Sequence, residues 1–518
     1  MSRRERADRP DARTLISRVL DAGSWRSWDE PIEDRAAPGT PYADDLAAAR
    51  ARSGYDESVI TGEGTLAGRR VAIMACEFSF LAGSIGVAAA ERLVRAVERA
   101  TAERLPLLAA PASGGTRMQE GALAFVQMVK ITTAVAAHRA AGLPYVVYLR
   151  HPTTGGVFAS WGSLGHVTAA EPGALIGFLG PRVFEALYGY PFPEGVQVAE
   201  NLFANGLVDA VVSAEDVREV AIRALAVLSA PADGLNRDAD RDMEWGMEWG
   251  MERGPEPEEA DADVPAWEAI TRSRDADRPG VRALLKLAAR DVTPLHGTGT
   301  GEEDPGLLLA LARFGTAPAV VLGQDWGRQR AAGPLGPAGL RVARRGMHLA
   351  AELGLPLVTV IDTPGAALSK AAEEGGLAAE IARSLADLVM LEAPTVCLLL
   401  GEGAGGAALA LLPADRVVCA QHGWLSPLPP EGASAIMHRT VDFAPRIAEA
   451  QGVRAADLKR DGIVDRIVPE CPDASVEPEE FCRRVARTLE YEIIGLLGRP
   501  ASERLAARFA RYRSLGSA

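Results

Sequence analysis

The chain repeats its own backbone punctuation at a fixed offset of 250 residues. Gly83 and Gly86 recur as Gly333 and Gly336, Pro106 as Pro356, Pro144 as Pro394, and Gly155-Gly156 as Gly405-Gly406. Glycine and proline fill backbone roles that other residues fill badly, so matched punctuation implies matched folding. The register, unbroken across the middle of both halves, predicts two copies of one domain. Each copy carries a Gly-Gly turn after an apolar strand, which is a plan for paired sites.

A chain of 518 residues suits two domains, each large enough to bury its own core. In the first half, Val71–Ala75, Pro106–Ala110 and Tyr145–Leu149 read as buried strands, with helical periods at Ala88–Glu103 and Glu120–Ala140. The second half repeats this with strands at Val320–Gln324, Leu357–Ile361 and Thr395–Leu400 and helices near Leu340–Leu353 and Glu373–Leu391. Strand, glycine turn, helix, strand is the pattern of an α/β layered domain. Further helices are expected at Ala12–Leu20 and, arginine-rich and amphipathic, at Ala501–Leu515. Domains are therefore expected over 1–232 and 266–518, joined by an acidic linker over 233–265. Acidic residues there outnumber basic ones, and a stutter around Trp245 and Trp249 cannot bury enough surface to order itself.

The net charge of −14 argues against duplex nucleic acid as a partner, because phosphate binding leaves a basic footprint. Cys76, Cys397, Cys419, Cys471 and Cys482 are scattered without C-x-x-C spacing, which fits reduced thiols and neither a disulfide framework nor a zinc site. The charged start leads into no apolar core, and the longest apolar run, Leu385–Leu412, is interrupted by Asp387, Glu392 and Glu402. These features predict a cytoplasmic protein with no membrane segment.

Four turns concentrate the chemistry: Ser113–Gly121, Thr153–Ser160, Asp362–Ala366 and Gly401–Ala410. Consecutive glycines at a helix start leave N–H groups unshielded at the positive end of the helix dipole. Such groups can hold a phosphate or an oxyanion; they can also serve only close packing of helix on strand. The lysine of a Walker loop follows none of these turns. Gly401-Glu-Gly-Ala-Gly-Gly406 lacks the final spacing of a dinucleotide fingerprint, and no G-x-S-x-G elbow occurs. Donation to an enolate or thioester oxygen is the better reading. Arg117 and Glu120 suit a surface ion pair as well as a ligand contact. His166, His296, His348 and His422 form no metal-ligand or triad pattern and read as structural, and Glu373-Glu374 reads as solvated. No residue presents itself as a general base.

Together these motifs resemble the carboxyltransferase component of acetyl-CoA carboxylase, with its β and α subunits fused in that order. The first half resembles the β subunit at Thr61–Gly64, Phe78–Gly86, Ser113–Gly121, Pro152–Val157, Ala170–Pro172, Gly180–Val183 and Pro193–Gly195. The second resembles the α subunit at Asp362–Ala366, Gly401–Ala407 and Pro430–Gly432. The resemblance implies a crotonase-like ββα-spiral fold in each half. It implies transfer of CO2 from carboxybiotin to the α-carbon of acetyl-CoA or another short acyl-CoA, with acyl-CoA on the first half and biotin on the second. The active site is then expected where the first half of one protomer meets the second half of another, most simply in a homodimer or a larger ring of dimers. In this reading Gly155 and Gly156 hold the thioester enolate, Gly405 and Gly406 hold the ureido oxygen, and the biotin anion takes the α-proton. Ser113, Gly114, Gly115, Arg117, Thr154, Gly365 and Ala366 are the implied substrate contacts.

Biotin must come on a separate carrier protein, charged by a separate biotin carboxylase, since none of the four lysines sits between methionines. The β subunit's four-cysteine zinc ribbon has no counterpart, so no bound metal is expected. The family's Gly-Ala-Tyr-Pro-Gly is Gly365–Ser369 here, its Glu-Glu-Arg-Gly-Gln is Glu373–Leu377, and its Leu-Gly-Asp is Leu164–His166. Most departures fall on the biotin-facing half. A biotin-independent malonyl-thioester decarboxylase or hydratase, or a silent paralogue within a carboxylase complex, remains an alternative.

Overall fold

The computed structural model describes residues 9–31, 36–178, 181, 185, 189–229, 254–259 and 264–515. Most of the acidic linker and most of the Gly180–Val183 motif lie outside these residues. The chain divides into two compact units, Met1–Ala232 with Gly299–Gly301, and Asp233–Thr298 with Glu302–Ala518.

The first unit is built on a seven-stranded sheet. Its strands are β1 (Arg26–Ser27), β2 (Val59–Leu66), β3 (Arg69–Cys76), β4 (Leu107–Ala110), β5 (Tyr145–Leu149), β7 (Val167–Ala170) and β9 (Ala210–Val211), in that spatial order. A two-stranded accessory sheet pairs β6 (Thr153–Thr154) with β8 (Ile176–Gly177). Strands β1 to β3 pair antiparallel and the rest run parallel. The runs are almost continuously apolar because both faces are covered. Ala72, Met74 and Cys76 pack in one cluster with the helix Val87–Ala102, while Val71, Ile73 and Ala75 pack in another with the helix Ala12–Val19.

The second unit has the same topology. Strands β10 (Arg290–Leu295), β11 (Leu307–Phe314), β12 (Ala317–Gln324), β13 (Leu357–Thr363), β14 (Thr395–Ala404), β15 (Arg416–Ala420) and β17 (Arg466–Val468) follow one another across the sheet, and β16 (Trp424–Ser426) pairs the end of β14. The helix Pro478–Leu497 covers one face through Phe481, Val485 and Leu489. The helix Pro337–Leu353 covers the other so closely that a Cβ on Gly346 would lie 2.5 Å from Leu322 Cδ2. Gly86 and Gly336 cap equivalent helices with nearly identical backbones, φ −96° and −100°.

The repeat is less uniform than the sequence suggests. Leu107 pairs Tyr145 as Leu357 pairs Thr395, an offset of 250. Val59 pairs Cys76 as Leu307 pairs Gln324, an offset of 248. Two residues are therefore gained between β12 and Gly333, where the second unit forms the helix Trp326–Ala332 and the first only a short 3-10 turn at Leu81–Gly83. The helix expected over Glu373–Leu391 is two helices, Lys370–Glu374 and Leu377–Met390, parted by Gly375-Gly376 with Gly376 at φ +81°. No described helix is long and apolar enough to cross a membrane.

Candidate active site

Each unit brings two glycine turns to the carboxyl ends of neighbouring parallel strands. In the first, Ser113 and Thr153 form a parallel bridge, and Thr154 N–H donates to Ser113 O at 2.9 Å. The turns touch backbone to backbone: a Cβ on Gly155, which sits at φ +65°, would lie 3.2 Å from Gly115 Cα. In the second unit, Thr363 pairs Gly403, the same register 250 residues on. Gly365 and Gly405 stand at φ +133° and +67°.

Hydrogen bonds separate the donors that the protein uses from those it leaves over. Gly114 N–H donates to Ala82 O at 2.9 Å, and Gly115 N–H to the buried Ser113 Oγ at 3.0 Å. Gly365 N–H donates in the same way to Thr363 Oγ1 at 3.2 Å. Gly155 N–H is also used, by Phe178 O at 3.0 Å. Within the Gly155-Gly156 pair, only Gly156 N–H is without a partner among the described residues. Nor does this pair open a regular helix; a single turn follows, closed by Ala159 N–H on Gly155 O. Gly405 and Gly406 do open a helix, Gly405–Leu409, and Gly406 N–H has no acceptor among the described residues.

A second unused donor stands in each neighbouring turn. The bridges Ile85–Thr116 and Leu335–Ala366 are again 250 residues apart. Arg117 N–H donates to Ile85 O at 3.0 Å and Ala367 N–H to Leu335 O at 2.9 Å. The N–H groups of the preceding residues, Thr116 and Ala366, make no hydrogen bond among the described residues. Gly156 lies against Thr116, since its Cβ would stand 3.2 Å from Thr116 Oγ1. Each unit thus offers one free donor from each of two turns, where the sequence suggested two from one Gly-Gly. Such donors suit an oxygen that gains negative charge.

Arg117 is neither on the surface nor open to a ligand. It is 1 % exposed, and Glu57 takes both guanidinium ends, at 2.9 Å for Nη1 and closer for Nη2. Ser84 O accepts from Nη2 at 2.7 Å and Ser84 Oγ from Nε at 3.2 Å. Glu120 accepts from Val87 N–H at 2.6 Å, at the start of the helix Val87–Ala102. Both side chains shape the turn from behind. His166 Nδ1 accepts from Tyr145 N–H at 2.9 Å and is structural, and Glu373-Glu374 are exposed.

The second unit differs in what lies behind its turns. Gln324, fully buried, donates through Nε2 to Ala407 O at 2.7 Å and accepts Asp362 N–H on Oε1 at 3.2 Å. It ties the Asp362–Ala366 turn to the turn carrying Gly406. Asp362 Oδ1 accepts Glu402 N–H at 3.2 Å, and burial pushes this carboxyl up to about 7 against the pull of Arg278. Glu402 accepts from Trp326 Nε1 at 2.8 Å and from Arg274 Nε at 2.6 Å. None of this is legible in the sequence alone, although a glutamine ending the apolar run Val320–Gln324 is a signal. His422, Glu470 and Asp473 place ligand atoms within 4.8 Å of one another. Arg278, however, binds both Glu470 oxygens at 2.6 Å, so the carboxylate is already neutralised and the cluster suits no cation. All five cysteines are free thiols.

Two like α/β units, each on a mostly parallel sheet, give the chain the crotonase-like fold of the carboxyltransferases that superpose on it. The transcarboxylase 12S core, a hexamer assembly crystallised with hydrolysed methylmalonyl-coenzyme A, superposes with a TM-score of 0.71 at 19% identity over 94% of this chain and 90% of its own. A single-chain, multi-domain long-chain acyl-CoA carboxylase superposes with a TM-score of 0.69 at 20% identity, over 91% of this chain and 46% of its own. Residues 8–504 match the carboxyl transferase domain family, and the chain belongs to it. It is 59% identical over 503 residues, 96% of this chain and 97% of the other, to a probable biotin-dependent acyl-coenzyme A carboxylase beta3 subunit of Mycobacterium tuberculosis. It is 38% identical over 521 residues, 98% of this chain and 91% of the other, to the acetyl-coenzyme A carboxylase carboxyl transferase subunits beta/alpha of Salinispora tropica.

Proposed function

We propose that this protein transfers a carboxyl group from carboxybiotin, held on a separate carrier protein, to the α-carbon of acetyl-CoA or another short acyl-CoA. The product is of the malonyl-CoA type. The observation that carries this reading is the recurrence of two unused N–H donors at one register position in both units. Carboxyl transfer has two oxygens that gain charge, one on each substrate, and one donor pair serves each.

In the first unit, the acyl-CoA side, Thr116 and Gly156 N–H hold the thioester oxygen while the α-carbon gives up its proton. In the second, the biotin side, Ala366 and Gly406 N–H fit a ureido oxygen, a strong acceptor without charge of its own. When bound, carboxybiotin supplies the carboxyl group. Overall a C–N bond and the α-C–H bond would break and a C–C and an N–H bond form, the α-proton passing to the ureido nitrogen that gave up the carboxyl group. Backbone donors fixed by β13 and β14 need no reorganisation as charge develops. Ser113, Gly114, Gly115, Thr154 and Gly365 keep the turns in place, and Arg117 acts through Glu57. A biotin carboxylase and a carrier protein are the partners, and the working form is a cytoplasmic homo-oligomer.

The test follows carboxyl loss from malonyl-CoA and methylmalonyl-CoA by the purified chain, with and without biotin or biotinyl carrier. Turnover that requires biotin upholds the reading and ranks the acceptors. Turnover without it makes the protein a decarboxylase and overturns the reading, as does no turnover with any acceptor.

A further inference from the structure

An arginine-lined cavity of about 240 Å³ lies in the second unit, between the helix Ala501–Ser514, the end of the helix Pro478–Leu497 and β15. Five arginines line it against two aspartates, in a chain whose net charge is −14. Most of this charge is accounted for. Arg508 is 1 % exposed and grips both oxygens of Asp415, at 2.9 and 2.8 Å. Arg511 Nη1 donates to Asp465 at 2.6 Å, and Arg416 shares that carboxylate at 3.1 Å.

Arg504 and Arg499 have no such partner. Arg504 gives its Nη atoms to backbone carbonyls alone, those of Leu496 at 3.2 Å, Glu392 at 2.9 Å and Arg499. Its Nε is buried with no acceptor, and so is the Nε of Arg511, seven residues on along the same helix face. Burial lowers the basicity of Arg504, and Arg508 adds to this against the pull of Asp415. Arg499, exposed at the mouth, makes no side-chain bond among the described residues. Buried cationic N–H groups without acceptors are costly, and a guanidinium presents its donors in a planar fork matched to oxyanions.

We propose that this cavity binds the phosphate group of a small anion, met by the guanidinium groups of Arg504 and Arg499, the two lining arginines without a carboxylate partner. The phosphate comes either from free inorganic phosphate or from the phosphate-bearing end of a CoA thioester. No residue of the paired turns lines this cavity, so the site is separate from them.

Equilibrium dialysis of the full chain against labelled inorganic phosphate, at ionic strength held with chloride, tests the proposal. Saturable binding of one phosphate per chain is expected, at least tenfold weaker in Arg504→Gln. Arg499→Gln guards against a folding defect, because that exposed side chain holds nothing together; it is expected to weaken phosphate several-fold while keeping the wild-type melting temperature. Displacement by CoA but not by its 3′-dephospho form assigns the site to the CoA phosphate, and no displacement assigns it to free phosphate; both uphold the site. Binding that does not saturate, or that both variants leave unchanged, overturns it.

Discussion

Gln324 Nε2 donates to Ala407 O across 2.7 Å, so the end of β12 holds the turn on which Gly406 sits. The same side chain takes Asp362 N–H, which makes it the clasp between the two donor-bearing turns of the second unit. Position 76, its counterpart at the offset of 248, is a cysteine. The two halves share a backbone plan and differ in the side chains that brace it.

Gln324→Leu keeps the volume and removes both bonds. A buried donor and acceptor left unpaired cost about 1–3 kcal/mol. Displacement of the turn by even an ångström is expected to lower kcat roughly 10²-fold. Steady-state kinetics should show a lower kcat and a higher KM for the biotinyl carrier, with the KM for acyl-CoA unchanged. A rise confined to the acyl-CoA KM contradicts the assignment of the second unit to biotin.

Gly156→Val and Gly406→Val place bulk on the two turns. A Cβ at Gly156 would meet Met128 Cγ at 3.1 Å and Thr116 Oγ1 at 3.2 Å, and one at Gly406 would meet Ile381 Cδ1 at 2.8 Å, all side-chain atoms that can yield. Valine keeps the backbone N–H, but its bulk shifts that donor or fills the oxygen's place, and loss of one oxyanion donor typically costs about 10²–10³ in rate. Each variant is expected to lose at least that in carboxyl transfer while melting within a few degrees of wild type. Wild-type rates in either would dissociate that turn from catalysis.

The buried pair of Arg117 and Glu57 supports the first turn without touching substrate. Both side chains are almost fully buried, 1% and 3% exposed. Arg117→Met strands the Glu57 carboxylate and is expected to destabilise the fold by about 3–5 kcal/mol. Adding Glu57→Gln removes the stranded charge and should restore part of the melting temperature. A ligand-binding arginine would instead raise the KM and leave thermal unfolding unmoved.

Asp362 gives the second unit a pH-dependent stability. Its carboxyl ionises near 3.8 when unfolded and at about 7 when folded. The folded chain therefore binds the proton more tightly. The proton-linked stabilisation is fully present below the unfolded value and is lost as pH rises through about 7. The loss is a few kcal/mol at most, since a tenfold difference in proton affinity is worth about 1.4 kcal/mol. Asp362→Asn keeps an acceptor for Glu402 N–H and cannot ionise. Its chemical-denaturation midpoint should be flatter than wild type from pH 4 to 7 and higher at pH 8. Parallel midpoint curves for the two proteins would exclude Asp362 as the source.

The strands around Val71, Leu107, Tyr145, Val320, Leu357 and Thr395 are legible in the sequence because two covered faces demand long apolar runs between punctuating glycines. The glycine turns are legible because φ near +65° at Gly155 and +67° at Gly405 is a conformation few other residues tolerate. The single helix expected over Glu373–Leu391 is two because helical periodicity continues through Gly375-Gly376 while the backbone does not. The offset of 250 rests on glycines and prolines, which cluster in turns. The glycines and prolines of the antiparallel strands β2 and β12, Gly62, Gly64, Pro318 and Gly323, meet Ala310, Ala312, Arg70 and Ala75 at 248, so the shift leaves no mark.

What the sequence by itself determined is the tandem α/β plan, the four turns and the family, since each rests on local backbone preference or on order along the chain. Which N–H groups are spent and which stay open was decided only by the tertiary structure. Gly155 loses its donor to Phe178 and Gly115 loses its own to Ser113, while Thr116 and Gly156 keep theirs. Whether a hydrogen bond forms depends on what another strand end places within about 3 Å. Residues such as Gln324 and Ala407, 83 positions apart, meet only when the sheet has assembled.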